Sequence, residues 1–136
     1  MIKKNPYKIL SVAQIIRLTE RFAKVFCVIN IKCEFDAKLP YLAFVHLDEN
    51  IIHFHSRIDN YCAYEIYNII FHELTHLKLN TLDEKIVYSY SLNLLKKKYS
   101  NFYSLVIDSY KKRLDYFYYV HPKYFYAIMN YLCVSN

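Results

Sequence analysis

The 136-residue chain contains no glycine. Loops that cradle phosphate need backbone that can approach the phosphate closely, and glycine is what permits it. P-loop and Rossmann-type nucleotide chemistry is therefore excluded. A chain of this length supports one hydrophobic core and leaves no room for a second, so residues 1–136 are read as a single domain. Hydrophobic residues make up 55% of it and charged residues 22%, a balance that fits a packed chain rather than a disordered one.

The apolar pattern switches between two periods. Ile9, Val12, Ala13, Ile16, Phe22 and Ala23 recur at helical spacing and predict an amphipathic helix over 6–26, with Pro6 in its first turn. Residues 27–35 read as a strand, and 41–47 and 51–58 as two more, joined by the turn residues Asp48-Glu49-Asn50. After Asp59-Asn60, a candidate N-cap, helical spacing returns through residue 79 and aligns Ile66, Ile70, Leu74 and Leu77. Asn80-Thr81 breaks this helix, and further helices are predicted over 82–98, over 102–119 and after Pro122. The order predicts an α+β fold, with a small antiparallel three-stranded sheet packed against the N-terminal helix and the 60–79 helix, followed by C-terminal helices.

The chemistry concentrates in His72-Glu73-Leu74-Thr75-His76. Histidines four apart on a helix project from one face, about a turn apart, so both can reach one zinc ion at ~2.0–2.1 Å. Glu73 is rotated by about 100° from His72, which takes it off the metal but leaves it able to reach a water there. Zinc would acidify that water and polarise a carbonyl, and Glu73 would act as the general base. Two protein ligands make a weak zinc site, so a third is sought. Glu84 is the only glutamate downstream of His76. Thr81-Leu82-Asp83-Glu84 also reads as a capping box, which would engage Glu84 differently. Asp83 and His121 are the other candidates for third ligand.

The pentapeptide resembles the active-site helix of the zincin metallopeptidases. No His-x-x-Gly-x-x-His extension follows, and a glutamate on the next helix is similar to the gluzincin arrangement, most of all that of the minimal gluzincins, and more loosely to the ImmA/IrrE-type peptidases. The resemblance implies a zinc metalloendopeptidase acting on peptide or unfolded protein, with His72, His76 and Glu84 as ligands and Glu73 as base. It implies that the strand over 51–58 forms the cleft rim and pairs with extended substrate. It also implies latency, in which residues 116–136 serve as an inhibitory or capping tail. Where gluzincins often place a supporting acid or amide one turn after the third ligand, this chain has Tyr88. Glu65 and Asn68, on the face of His72, are candidates to orient a ligand imidazole.

The net charge is +6, with clusters at Lys96-Lys97-Lys98 and Lys111-Lys112-Arg113. These read as solvated helix faces. Nucleic acid is the less favoured partner because no binding motif accompanies them, and a homodimer is compatible with the pattern. A non-enzymatic basic module is the alternative function, and a zinc site with a structural or regulatory duty is another. His53 and His55 alternate along a strand, so they share one face of the sheet, where they could hold a second metal or contact substrate, although a structural or surface role is the favoured reading. Cys27, Cys33, Cys62 and Cys133 form no Cys-x-x-Cys pair and are expected to be buried free thiols in a reducing compartment. No apolar stretch reaches the ~20 residues of a membrane span, and the expected location is the cytoplasm.

Overall fold

In the computed structural model, which describes residues 4–134, the first helix begins at its cap and not at Pro6. Ser11 Oγ accepts from the Gln14 amide at 3.2 Å, and the Gln14 side chain accepts from the Ser11 amide at 2.9 Å. This reciprocal pair satisfies two amides at the helix start, and α1 runs Val12–Val25. The segment before it serves another helix. The carbonyls of Pro6 and Lys8 accept from the amides of Tyr64 and Ala63 at 3.0 and 2.8 Å. They occupy donors in the first turn of α2, Ala63–Leu79, that have no partner within the helix.

Three strands follow α1: β1 Lys32–Asp36, β2 Ala43–His46 and β3 Ile51–His55. The spatial order is β1-β3-β2. The expected hairpin forms, with Val45 opposite Ile52 and Ala43 opposite Phe54 in antiparallel register. β1 departs from expectation: it runs parallel to β3, with Cys33 opposite Ile52 and Phe35 opposite Phe54. The sheet is mixed, not antiparallel. A short turn between β2 and β3 imposes antiparallel pairing, whereas the connection over 37–42 is free to carry the chain past β3 and leave β1 on its far side. Alternation buries Ala43, Val45, Ile52 and Phe54, and turns Phe44, His46 and His53 to the opposite face.

With no glycine present, the left-handed positions fall to asparagine at Asn30, Asn50 and Asn80 (φ 55°, 51° and 50°), and to Cys27 at φ 59°. Asparagine tolerates this region better than most residues with a Cβ. Asn50 and Asn80 sit where the chain reverses, between β2 and β3 and at the end of α2.

The remaining helices are α3 Glu84–Lys98, α4 Ser100–Lys112, α5 Leu114–Val120 and α6 Pro122–Val134. The helix expected over 102–119 is thus two, divided at Arg113. α2 lies at the centre, with Ile66, Ile70, Phe71 and Leu74 fully buried. Phe71 meets Phe22 and Phe26 of the α1 region edge-on, at 4.9 and 5.3 Å between ring centroids. α6 joins the same core through Ala127, Ile128 and Tyr131, so the segment expected as a tail supplies packing. Its last residues, Ser135 and Asn136, lie outside the described residues. Among the described residues no helix is long and apolar enough to cross a membrane. The cysteines are free, but Cys27 and Cys133 are exposed and Cys33 and Cys62 half-buried, contrary to the expected burial. Cys27 follows the end of α1 in a left-handed turn and Cys133 lies in the last turn of α6, positions the core does not cover.

Candidate metal centre

α2 carries His72 and His76 one turn apart, their ring centroids 5.0 Å from each other. Asn80, left-handed at φ 50° and ψ 50°, ends the helix, and the chain turns back so that Glu84 opens α3 above them. Glu84 Oε2 lies 2.9 Å from His72 Nε2, and Glu84 Oε1 lies 3.1 Å from His76 Nε2. All three side chains are nearly inaccessible to solvent.

The turn decides which acidic residue arrives. Asp83 is the N-cap of α3, its Oδ1 accepting from the Lys85 amide at 3.0 Å, while Thr81 Oγ1 accepts from the Asp83 amide at 3.1 Å. The capping box that is the competing reading of Thr81 and Glu84 does not form, which leaves the Glu84 carboxylate for the imidazoles. Asp83 is occupied as a cap. His121 packs among Tyr41, Tyr116 and Tyr124, at 5.9, 5.9 and 5.5 Å between centroids, and is not part of the group formed by His72, His76 and Glu84.

A hydrogen bond behind His76 sets its tautomer. Its Nδ1 is 2.7 Å from the Thr81 carbonyl oxygen. A carbonyl only accepts, so Nδ1 carries the hydrogen, and in the neutral ring Nε2 presents its lone pair towards Glu84. This backbone contact was not readable in the sequence, because it depends on the path of the turn and not on a side chain. Burial alone would raise the pKa of Glu84, but hydrogen bonds from His72 and from His76, whose Nε2 donates when the ring is protonated, outweigh it and hold the carboxyl down at about 2. Burial lowers the pKa of His76, yet Glu84, Glu73 and the Thr81 carbonyl together raise it above the ordinary value. Burial raises that of Glu73, against the opposing pull of His72 and His76.

These residues fit a zinc ion. Two imidazole nitrogens and a carboxylate are a common zinc donor set, and ligands at ~2.0–2.1 Å on a tetrahedron lie ~3.3 Å apart. Each imidazole has one oxygen of the Glu84 carboxylate at about that distance, Oε2 at 2.9 Å from His72 Nε2 and Oε1 at 3.1 Å from His76 Nε2. The backbone carbonyl on His76 Nδ1 is the kind of partner that orients a metal-ligating histidine.

No protein-family model, curated protein or solved structure matches this chain.

His72 and Glu73 line a cleft of about 410 Å³, whose other walls include Tyr41, Tyr116, His121 and Tyr124. Tyr88, the residue one turn after Glu84, is buried and packs its ring edge-on to His72 at 4.6 Å. It fixes the imidazole by contact. Glu65 and Asn68 are engaged elsewhere: Glu65 accepts from the Cys62 amide and thiol at 3.3 and 3.1 Å, and Asn68 donates to the Tyr110 hydroxyl at 2.7 Å. His53 and His55 do not form a common site. His55 Nδ1 accepts from the Arg57 amide at 3.0 Å and borders the cleft, while His53 faces Glu34 at 3.4 Å. The strand expected to be the rim, β3, is the central strand and is bonded on both edges. The edge at the cleft belongs instead to β2 and the residues before it.

Proposed function

We propose that this chain is a zinc-dependent metalloendopeptidase, with His72, His76 and Glu84 as the metal ligands and Glu73 as general base. The reading is supported above all by the convergence of both Nε2 atoms on the Glu84 carboxylate, beside Glu73, which lines the cleft together with His72. Zinc held there supplies Lewis acidity, polarising a peptide carbonyl and acidifying a water molecule. Glu73 accepts the proton as the water oxygen bonds to the carbonyl carbon, and returns it to the amine nitrogen as the C–N bond breaks. Its buried setting, which raises the carboxyl pKa, suits a group that must both take and give up a proton. With the metal bound through Nε2, His72 and His76 would be its neutral ligands, Thr81 fixing the ring of His76.

An extended peptide suits this cleft. β2 is an edge strand, and residues 39–43 border the cavity, so substrate backbone can pair along that edge. Tyr116, His121 and Tyr124 are among the cleft-lining donors that could stabilise the oxyanion. The alternative of a basic binding module draws on the lysine clusters. These lie in the last turns of α3 and α4, where cations offset the helix dipole, so the charge already has a structural use.

The test is cleavage of an unfolded protein by the zinc-loaded chain. Glu73→Gln should retain zinc and lose about 10²–10⁴-fold in rate. Equal activity in the two proteins removes the mechanism.

A further inference from the structure

A second group of ligand atoms lies on the outer face of the sheet. His46 closes β2, Glu49 stands in the turn and His53 is central in β3. One ligand atom from each lies within 4.8 Å of the others. We propose that His46, Glu49 and His53 form a metal site for a divalent zinc-class cation, separate from the His72 cluster.

His53 carries the argument. Its Nδ1 is 3.4 Å from Glu34 Oε2 on β1, the arrangement in which a carboxylate holds a ring N–H and leaves the other nitrogen free to bind a metal. That other nitrogen, Nε2, is buried and has no hydrogen-bond partner. A buried polar nitrogen left unsatisfied is costly in a folded protein, and a cation removes the cost where a second hydrogen bond is missing.

The surroundings hold the donors in place. Phe44 stacks flat on His53 at 4.6 Å and 10°, and meets His46 edge-on at 5.1 Å. One aromatic ring thus positions both imidazoles, whose centroids are 5.2 Å apart. The turn is anchored as well: the Asn50 side chain donates to the Ile29 carbonyl at 2.9 Å, and its own carbonyl accepts from the Lys32 amide at 3.0 Å. Two imidazoles and one carboxylate select zinc-class ions over calcium or magnesium, which favour oxygen. His46 and Glu49 are exposed, so the ion keeps an open side and exchanges with solvent. Bound there, it would clasp β2 to β3.

The full-length protein, stripped with a chelator, is titrated with Co²⁺ and then Zn²⁺, reading cobalt absorption and the number of ions bound. Wild type should bind one ion more than His46→Ala/Glu49→Gln, whose changes are on the surface. Glu49→Gln alone should weaken that ion at least tenfold, and Glu34→Gln by about 10–100-fold. Circular dichroism checks that each variant is folded. This comparison does not depend on peptidase activity, nor on whether the His72 cluster fills. The proposal is overturned if the double variant or Glu49→Gln binds as many ions as wild type with the same affinities, or if wild type binds none.

Discussion

His76 donates its Nδ1–H to the carbonyl oxygen of Thr81 across 2.7 Å. The helix that presents the imidazole and the turn that brings Glu84 to it are therefore joined at the ring itself. A change in the turn reaches the candidate metal through His76 as well as through Glu84.

The first prediction concerns that turn. Asn80 is left-handed, and a β-branched side chain there costs about 1–2 kcal/mol. Asn80→Val should lower stability by that amount and, by shifting Thr81, weaken zinc binding about 10–100-fold. Asn80→Gly, which accepts the same backbone angles, should keep the affinity. Zinc competition with a chromophoric chelator measures both variants, and an unchanged affinity in the valine variant would separate the turn from the site.

The third ligand can be settled by three substitutions. Glu84→Gln should reduce zinc affinity by about 100-fold or more, at the upper end of what losing a partner of the metal costs. Asp83→Ala removes an N-cap and should cost about 1 kcal/mol of stability while the zinc content holds. His121→Ala, from the cleft wall, should also keep its zinc. Loss of metal in either of the last two, by elemental analysis, contradicts the assignment of Glu84.

Packing of α2 against α1 sets the base on which the site stands. Phe71 is fully buried between Phe22 and Phe26, next in sequence to His72 but turned into the core. Phe71→Ala should destabilise the protein by about 3–5 kcal/mol, measured by denaturant unfolding of the metal-free chain. A loss below about 1 kcal/mol would mean that this aromatic cluster does not hold the helix.

The cysteines should differ in their response to pH. Burial, partly offset by a hydrogen bond with Thr19, pushes the Cys33 thiol up to about 11. Burial and the neighbouring Glu65 carboxylate push Cys62 up to about 11 as well. A raised pKa disfavours the reactive thiolate, which at pH 8 is then about one part in a thousand. Alkylation followed by mass spectrometry should label the exposed Cys27 and Cys133 first. Labelling of Cys33 and Cys62 should quicken about tenfold per pH unit and level off near pH 11. Equal rates at pH 8 for all four would contradict this environment.

Much of the fold is legible in the residues because periodicity reports which side of an element is buried. Ile66, Ile70 and Leu74 align at helical spacing and are buried, and the β2–β3 hairpin follows from alternation around Asp48-Glu49-Asn50. Boundaries were less legible. Pro6 reads as a helix start because a first-turn proline is favourable in isolation, yet its carbonyl is taken by α2. The break at Arg113 and the direction of β1 left no local mark, since both depend on what packs alongside. Nothing local in the sequence pairs His46 with His53, because their meeting requires the hairpin register.

What the sequence determined alone is local. The i, i+4 spacing puts His72 and His76 on one side of a helix, and the lack of glycine rules out phosphate loops, because both follow from the geometry of a few consecutive residues. The tertiary structure decided the rest: that Glu84 and not Asp83 or His121 faces the imidazoles, that Thr81 sets the tautomer of His76, and that residues 116–134 contribute a cleft wall and a core helix. Those outcomes depend on how distant segments fill shared space and satisfy one another's polar groups, which no stretch of chain specifies by itself.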